Sequence, residues 1–589
     1  MNESYKPESW DLSDVLPKDF DAKCEDIRKL VKRFCRYRSK LSPSMRECEL
    51  MRSLKLFDKI NTELEVIGSA YTLRFYEDTS DSESSRMLAN ANRFAEEIRN
   101  KIDFFDSWIL NLSQKGLRRV LSHSGEYKSY IKDMAKSEKY SLEGDVEDAL
   151  SLKESTGSAL RSRLYYQIVS GFRYPEVVGG ENRMLSTSEL MQRYSDTDPA
   201  KRADAYGRIL QEYSKFAHVL AELYSAEVQD WDKEYVKTRK HRSTMSVVNF
   251  ENEISDSAVD TLLAVCRRNR DVFQRYFKLK ARVCGLEGKF SLSDVDAPMF
   301  SLDRKFGFGE AVSEVINSFS SFSSKFGCLA KRVLDSGHLH SLNRANQIES
   351  TFCMGVAPGV VPYVYIVPDV RLEYVQTLAH ELGHAVHYQL IGEKQNSLVG
   401  EANNVIAETV SAFSEQLLFE HIISHADDDS VRKALLAFQL GNYQETVSQA
   451  YNVLFEKAAH EMLNSAQGAG HKQISDLYYS QLKEQFGDSM IIPDQFKDYW
   501  LVISHIFEAP FYCYSYSFGY LMSLILNQKR KSEGPEFVRE FERVISYGNS
   551  VPTARVFKEL GIDINSSRLW QKGFDILDEK FGYLESLCR

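Results

Sequence analysis

The sequence predicts a mainly α protein, and three observations carry that prediction. Only 13 prolines and 30 glycines interrupt 589 residues. Apolar residues recur at intervals of three and four over long runs, the spacing that collects them on one face of a helix. The gaps between those runs have turn chemistry, as at Leu41-Ser-Pro-Ser, Glu77-Asp-Thr-Ser-Asp-Ser and His123-Ser-Gly.

Taken in order, the chain opens with Trp10-Asp-Leu-Ser-Asp-Val-Leu-Pro, an extended segment expected to dock Trp10 on the body. Helices follow over Ile27 to Arg38, Met51 to Tyr76, Ser85 to Leu112 and Leu117 to Lys136. A composition shift at Val177-Val-Gly-Gly-Glu-Asn sets the domain division: residues 1–190 as an N-terminal helical domain, 191–589 as a second domain that holds the motifs described below. Lys201 to Lys237 and Asp256 to Leu286 read as long amphipathic helices. Asp294 and Asp296 read as capping or turn residues.

The clear β signal is Val360 to Val367, β-branched and aromatic. Pro358, Pro362 and Pro368 confine it to an edge or to short strands, and a free edge can hold a peptide by strand addition. Directly after it comes His380-Glu381-Leu382-Gly383-His384 within a helical run. A turn of 3.6 residues stacks His380 above His384, so both imidazoles reach one ion. Val375, Leu378, Leu382 and Val386 form an apolar back. Glu381 falls to one flank, where a carboxylate takes a proton from water without being a ligand. His387 continues the ligand face, but ~10 Å along the axis from His380 it is too far to share the ion, and an outer-shell role is expected for it.

A third ligand is needed, since catalytic zinc sites take three protein ligands and leave one position open. A second helix from Glu401 offers Glu401, Glu408 and Glu415 at seven-residue intervals, and spacing alone leaves the three open. Further on, Pro510 suits the first turn of a helix, and Tyr512, Tyr514 and Tyr516 crowd together after His505. Tyr512 and Tyr516 share one helix face, with Tyr514 roughly opposite. A phenol is a neutral donor near pH 7, suited to an oxyanion without competing for the metal.

His-Glu-Leu-Gly-His-Ala-Val-His, followed by Ala407-Glu408-Thr409, resembles the zinc signature of the oligoendopeptidase F and thimet oligopeptidase family. That family's Glu ligand stands about two dozen residues after the second His, where Glu408 lies. Thermolysin-like enzymes would need it near Asn403 and Asn404, and metzincins need a Gly and a His where this chain has His387 and Leu390. His505 with the tyrosines resembles the family's His followed by Phe-Tyr-x-Tyr-x-Tyr. The resemblance implies a fold of two helical lobes around a deep substrate channel with a small β-sheet beside the zinc helix. It implies one Zn2+ on His380, His384 and Glu408, and a catalytic set of Glu381, His505, Tyr512 and Tyr514. It implies an endopeptidase acting on short peptides.

Composition narrows the alternatives. A net charge of -10 argues against a nucleic-acid binder and slightly favours cationic peptides. The N-terminal residues lack the apolar core of a signal peptide, and no run reaches membrane-spanning length, so a cytoplasmic protein with no membrane partner is expected. Nine cysteines without regular spacing predict reduced thiols, with Cys353 and Cys513 as packing residues. His338, His340, His421, His425 and His471 are expected at the surface or in caps. No obligatory protein partner is evident. Two competing readings are a helical binding protein with a closed structural zinc site and a carboxypeptidase, which would need an arginine near the site; Arg371 is the nearby candidate.

Overall fold

The computed structural model describes residues 5–589 apart from 143, 155–156, 301–304, 343–346, 348–350, 368, 370, 427 and 466–467. Pro368, one of the three prolines read as confining the strand, lies outside the described residues. The protein is 71% helical with small sheets, as predicted. It divides into two compact units that are not consecutive stretches: residues 1–139, 304–422 and 526–562 form one, and 140–303, 423–525 and 563–589 the other. Residue 190 therefore falls inside the second unit, where the linear division had placed a boundary.

In the first unit, Asp19 caps the helix Phe20–Phe34 by accepting the Ala22 N–H at 3.0 Å, and Cys24, Ile27, Val31 and Phe34 bury its apolar face. That face packs on the helix Glu47–Glu77 through Phe57, whose ring centroid lies 5.4 Å from that of Phe34. The run Ser85 to Leu112 is two helices, Ser82–Ile102 and Phe104–Leu110, and Leu117 to Lys136 is likewise divided, at Ser124 to Tyr127. Trp10 docks as expected: 5% exposed, it lies against the rings of His340, Tyr363 and Tyr365.

Those rings belong to a three-stranded sheet of β3 (Leu339–His340), β4 (Phe352–Met354) and β5 (Tyr363–Tyr365) in the order β3-β5-β4. Strand β5 is parallel to β3 and antiparallel to β4. The predicted strand is thus the central one, because both neighbours use its backbone groups; the edges are β3 and β4.

In the second unit, Val177-Val-Gly-Gly-Glu-Asn is a hairpin turn rather than a domain boundary. Strands β1 (Tyr174–Val178) and β2 (Glu181–Leu185) pair antiparallel, and Gly179 and Gly180 adopt φ of 61° and 89°, which a two-residue turn of this hand requires. The run from Lys201 is broken into Pro199–Lys215, Ala217–Trp231 and a π-helical segment, Asp232–Thr238. Asp294 is structural: it pairs with buried Arg202 at 2.5 Å and receives the Ser291 N–H at 2.9 Å. Asp296 accepts the Tyr206 hydroxyl at 3.0 Å. Among the described residues, no helix is long and apolar enough to cross a membrane.

Candidate metal centre

Helix α1 (Leu372–Gly392) buries Val375, Leu378, Leu382 and Val386, and that packing fixes its rotation. One turn apart, the Nε2 atoms of His380 and His384 stand 3.2 Å from each other. Helix α2 (Asn404–Ser424) is buried almost all round and brings Glu408 Oε2 to 3.5 Å from His380 Nε2. Among the described residues, His380, His384 and Glu408 form a set whose ligand atoms all lie within 4.8 Å of one another. Tetrahedral ligands about 2.05 Å from zinc sit ~3.3 Å apart, so two lone-pair nitrogens and a carboxylate oxygen at these separations fit the ion.

Gly383 permits the approach. A Cβ there would stand 2.6 Å from Ser414 Oγ and 3.1 Å from Ser411 Cα, both on α2. A side chain between the two histidines would hold the carboxylate away.

The three glutamates left open by spacing have separate places. Glu401 precedes α2, which starts at Asn404, three residues later than expected. Glu415 reaches the far side of the imidazole: its Oε1 lies 2.6 Å from His380 Nδ1, while Gln376 donates to its Oε2 at 2.6 Å. The Nδ1–H is thereby committed to Glu415, leaving the Nε2 lone pair for a metal. Gln376 was missed in the sequence, although it lies one turn before His380 on the same face.

The electrostatics suit a cation. Burial drives His384 well below the usual imidazole range and so keeps it neutral. Burial opposes protonation of His380 too, but its hydrogen bond to Glu415 and the charges of Glu415, Glu408 and Glu381 lift it to about 10. Burial, with the neighbouring glutamates, raises Glu381 to about 7. Three carboxylates converging on two imidazoles make a negative field that a divalent ion would neutralise.

His387 does not serve the site. It is 2% exposed, and its Nε2 donates to the Ile545 carbonyl 3.0 Å away, so the polar stripe ends at His384. Cys353 on β4 is a packing thiol held protonated by burial and by the charge of Glu381, which places β4 beside the histidine helix. All nine cysteines are free. Two expected surface histidines are interior: His338 stacks on Tyr363 at 3.8 Å, and His340 is fully buried against Trp10.

His505 and the tyrosines lie in the second compact unit. The turn before helix α3 (Tyr514–Glu533) holds Phe511 at φ 62°, and the Phe511 N–H donates to the Glu456 carboxylate at 2.8 Å. That turn brings Tyr512 over His505, with ring centroids 5.8 Å apart, and the Tyr516 hydroxyl comes to 3.3 Å from His505 Nε2. Burial keeps His505 below its ordinary pKa. Tyr514, expected in the catalytic set, is not brought to this cluster: it is fully buried, and its hydroxyl accepts from Asn252 at 2.8 Å. Tyr516 is the tyrosine that lies with Tyr512 beside His505. Pro510 precedes α3 rather than opening it.

The sequence matches the model of peptidase family M3 over residues 360–576. It is 22% identical to oligopeptidase PepF of Bacillus subtilis, over 98% of this chain and 87% of the relative. It is equally 22% identical to group B oligopeptidase PepB of Streptococcus agalactiae, over 100% of this chain and 98% of the relative. The fold matches that of oligoendopeptidase F from Enterococcus faecium with a TM-score of 0.72 at 19% identity, over 96% of this chain and 98% of that one. The chain therefore carries a peptidase family M3 domain over residues 360–576, has oligoendopeptidase F homologues along its length, and is a metallo-oligopeptidase.

Proposed function

We propose that the chain is a zinc-dependent endopeptidase that hydrolyses internal bonds of short peptides. The observation that carries this reading is the convergence of His380, His384 and Glu408 with Glu381 on the same helix and Glu415 behind His380. Zinc, when bound, supplies Lewis acidity toward water and toward the scissile carbonyl. His380, His384 and Glu408 would hold it. Glu381 accepts a proton from the attacking water and delivers it to the leaving amine. His505 with Tyr512 or Tyr516 donates to the oxygen that gains negative charge, each such donor contributing about 2–4 kcal/mol.

The relatives are oligopeptidases by name, which supports short peptides as substrates. Free thiols throughout support a reducing, cytoplasmic setting. A carboxypeptidase reading loses its anchor, because Arg371 is engaged by Asp369 at 2.5 Å.

An internally quenched peptide blocked at both ends tests the proposal. The purified chain cleaves it, a chelator stops cleavage and added Zn2+ restores it, while a native globular protein resists. Glu381→Gln lowers kcat at least about 100-fold with zinc retained. An active Gln variant, or chelator-resistant cleavage, removes the assigned chemistry.

A further inference from the structure

A cavity of about 370 Å³ in the second compact unit has His505 in its lining. Its lining carries two carboxylates, Asp296 and Glu445, and the other titratable charge on its wall is His505 itself. The nearest cations, Lys280 and Arg202, act on Asp296 from behind the wall. Lys280 donates to the Val295 carbonyl at 2.5 Å and Arg202 is closed on Asp294, and neither lines the space. The lining itself therefore carries carboxylates and no lysine or arginine, and Glu445 is the carboxylate that no cation offsets.

The aromatic walls point the same way. Tyr478 is 5% exposed and lines the cavity, and its hydroxyl, near Tyr499 and Glu445, has no hydrogen-bond partner among the described residues. Tyr499 stands near both carboxylates. Glu445 accepts from Gln449 at 2.9 Å, which fixes its carboxylate against the wall. An orphan phenol, two oriented carboxylates and aromatic faces together suit an ammonium or guanidinium: the oxygens accept its N–H groups and the rings receive its charge. Burial raises Asp296, against the opposing charges of Lys280 and Arg202 and the Tyr206 hydrogen bond, and burial raises Glu445 to about 7 with the charge of Asp296 adding to it.

We propose that this cavity is a subsite for a cationic group of the peptide substrate, held by Asp296 and Glu445 with Tyr478 and Tyr499. The inference rests on the peptidase reading, through His505, and names the substrate preference that the reading leaves open. An arginine or lysine side chain and a free N-terminal ammonium share the required chemistry.

The test uses the full-length, zinc-loaded chain and end-blocked quenched peptides in which one position at a time carries arginine or its neutral isostere citrulline. A second pair differs only in a free or acetylated N-terminus. The wild type prefers the charged member of one pair by about tenfold in kcat/KM; the pair affected identifies the cation's source. That ratio, which cancels any general loss, falls toward one in Glu445→Gln and in Asp296→Asn. Tyr478→Phe, which removes a single oxygen, lowers the ratio two- to fivefold and supplies the reading where an acidic-site variant misfolds. Equal cleavage of charged and neutral members by the wild type, or a ratio that persists in all three variants, overturns the subsite alone. Failure to cleave every peptide, with zinc present, overturns the peptidase reading on which it stands.

Discussion

His380 shows how one residue joins two functions, since Nε2 faces His384 and Glu408 while Nδ1 is held by Glu415. Glu415→Gln removes the charge that fixes this tautomer and should weaken zinc binding about 10- to 100-fold in a competition titration with a chromophoric chelator. Unaltered affinity would reduce Glu415 to a packing residue. His387 gives a pH prediction. Burial lowers it to about 4, below the ~6.5 of an unfolded imidazole, so the stability it contributes is complete above that value and is lost as the pH falls toward 4. The loss by pH 5 should be about 2 kcal/mol, and His387→Gln should flatten the acid limb of urea midpoints measured from pH 8 to 5. A parallel acid limb in the variant would contradict it. The ligand pair was legible because a helix turn makes i and i+4 neighbours. His387 and Tyr514 were misplaced because their partners, Ile545 and Asn252, lie 158 and 262 residues away in the chain.

Between α1 and α2 the contact depends on a glycine that local pattern does not distinguish from a helix defect. Gly383→Ala sets a methyl against Ser414 and the Ser411 backbone. It should cost about 1–3 kcal/mol in unfolding free energy and weaken zinc binding, since α2 carries Glu408 away as it yields. A fully stable Ala variant with wild-type affinity would place the helices further apart than described. Helical runs were readable here from apolar spacing. The strand order was not, because β3 is only two residues long and pairing is a non-local choice. The turn before α3 was hidden for the same reason: Phe511 is held by Glu456, 55 residues earlier.

Over the whole molecule, mainly helical character and family kinship could be read from composition and a few motifs, whereas the chain's division could not. The buried core of the N-terminal helices draws on Cys24 through Ile131. Residues 158–169 instead belong with the second unit, where Arg161 binds Glu227 and Asp230 and Tyr165 donates to the Leu501 carbonyl. A fragment of residues 1–139 should therefore unfold cooperatively, and extension to 190 should leave its denaturant slope unchanged. A steeper slope in the longer fragment would restore the boundary near 190. Zinc analysis of the purified, dialysed chain and of Glu408→Gln tests the centre most directly. The account predicts one zinc per wild-type chain and loss of the metal from the variant at equal helicity. A wild type without zinc, or a Glu408→Gln chain that retains it at full stoichiometry and affinity, would contradict the metal centre on which the rest is built.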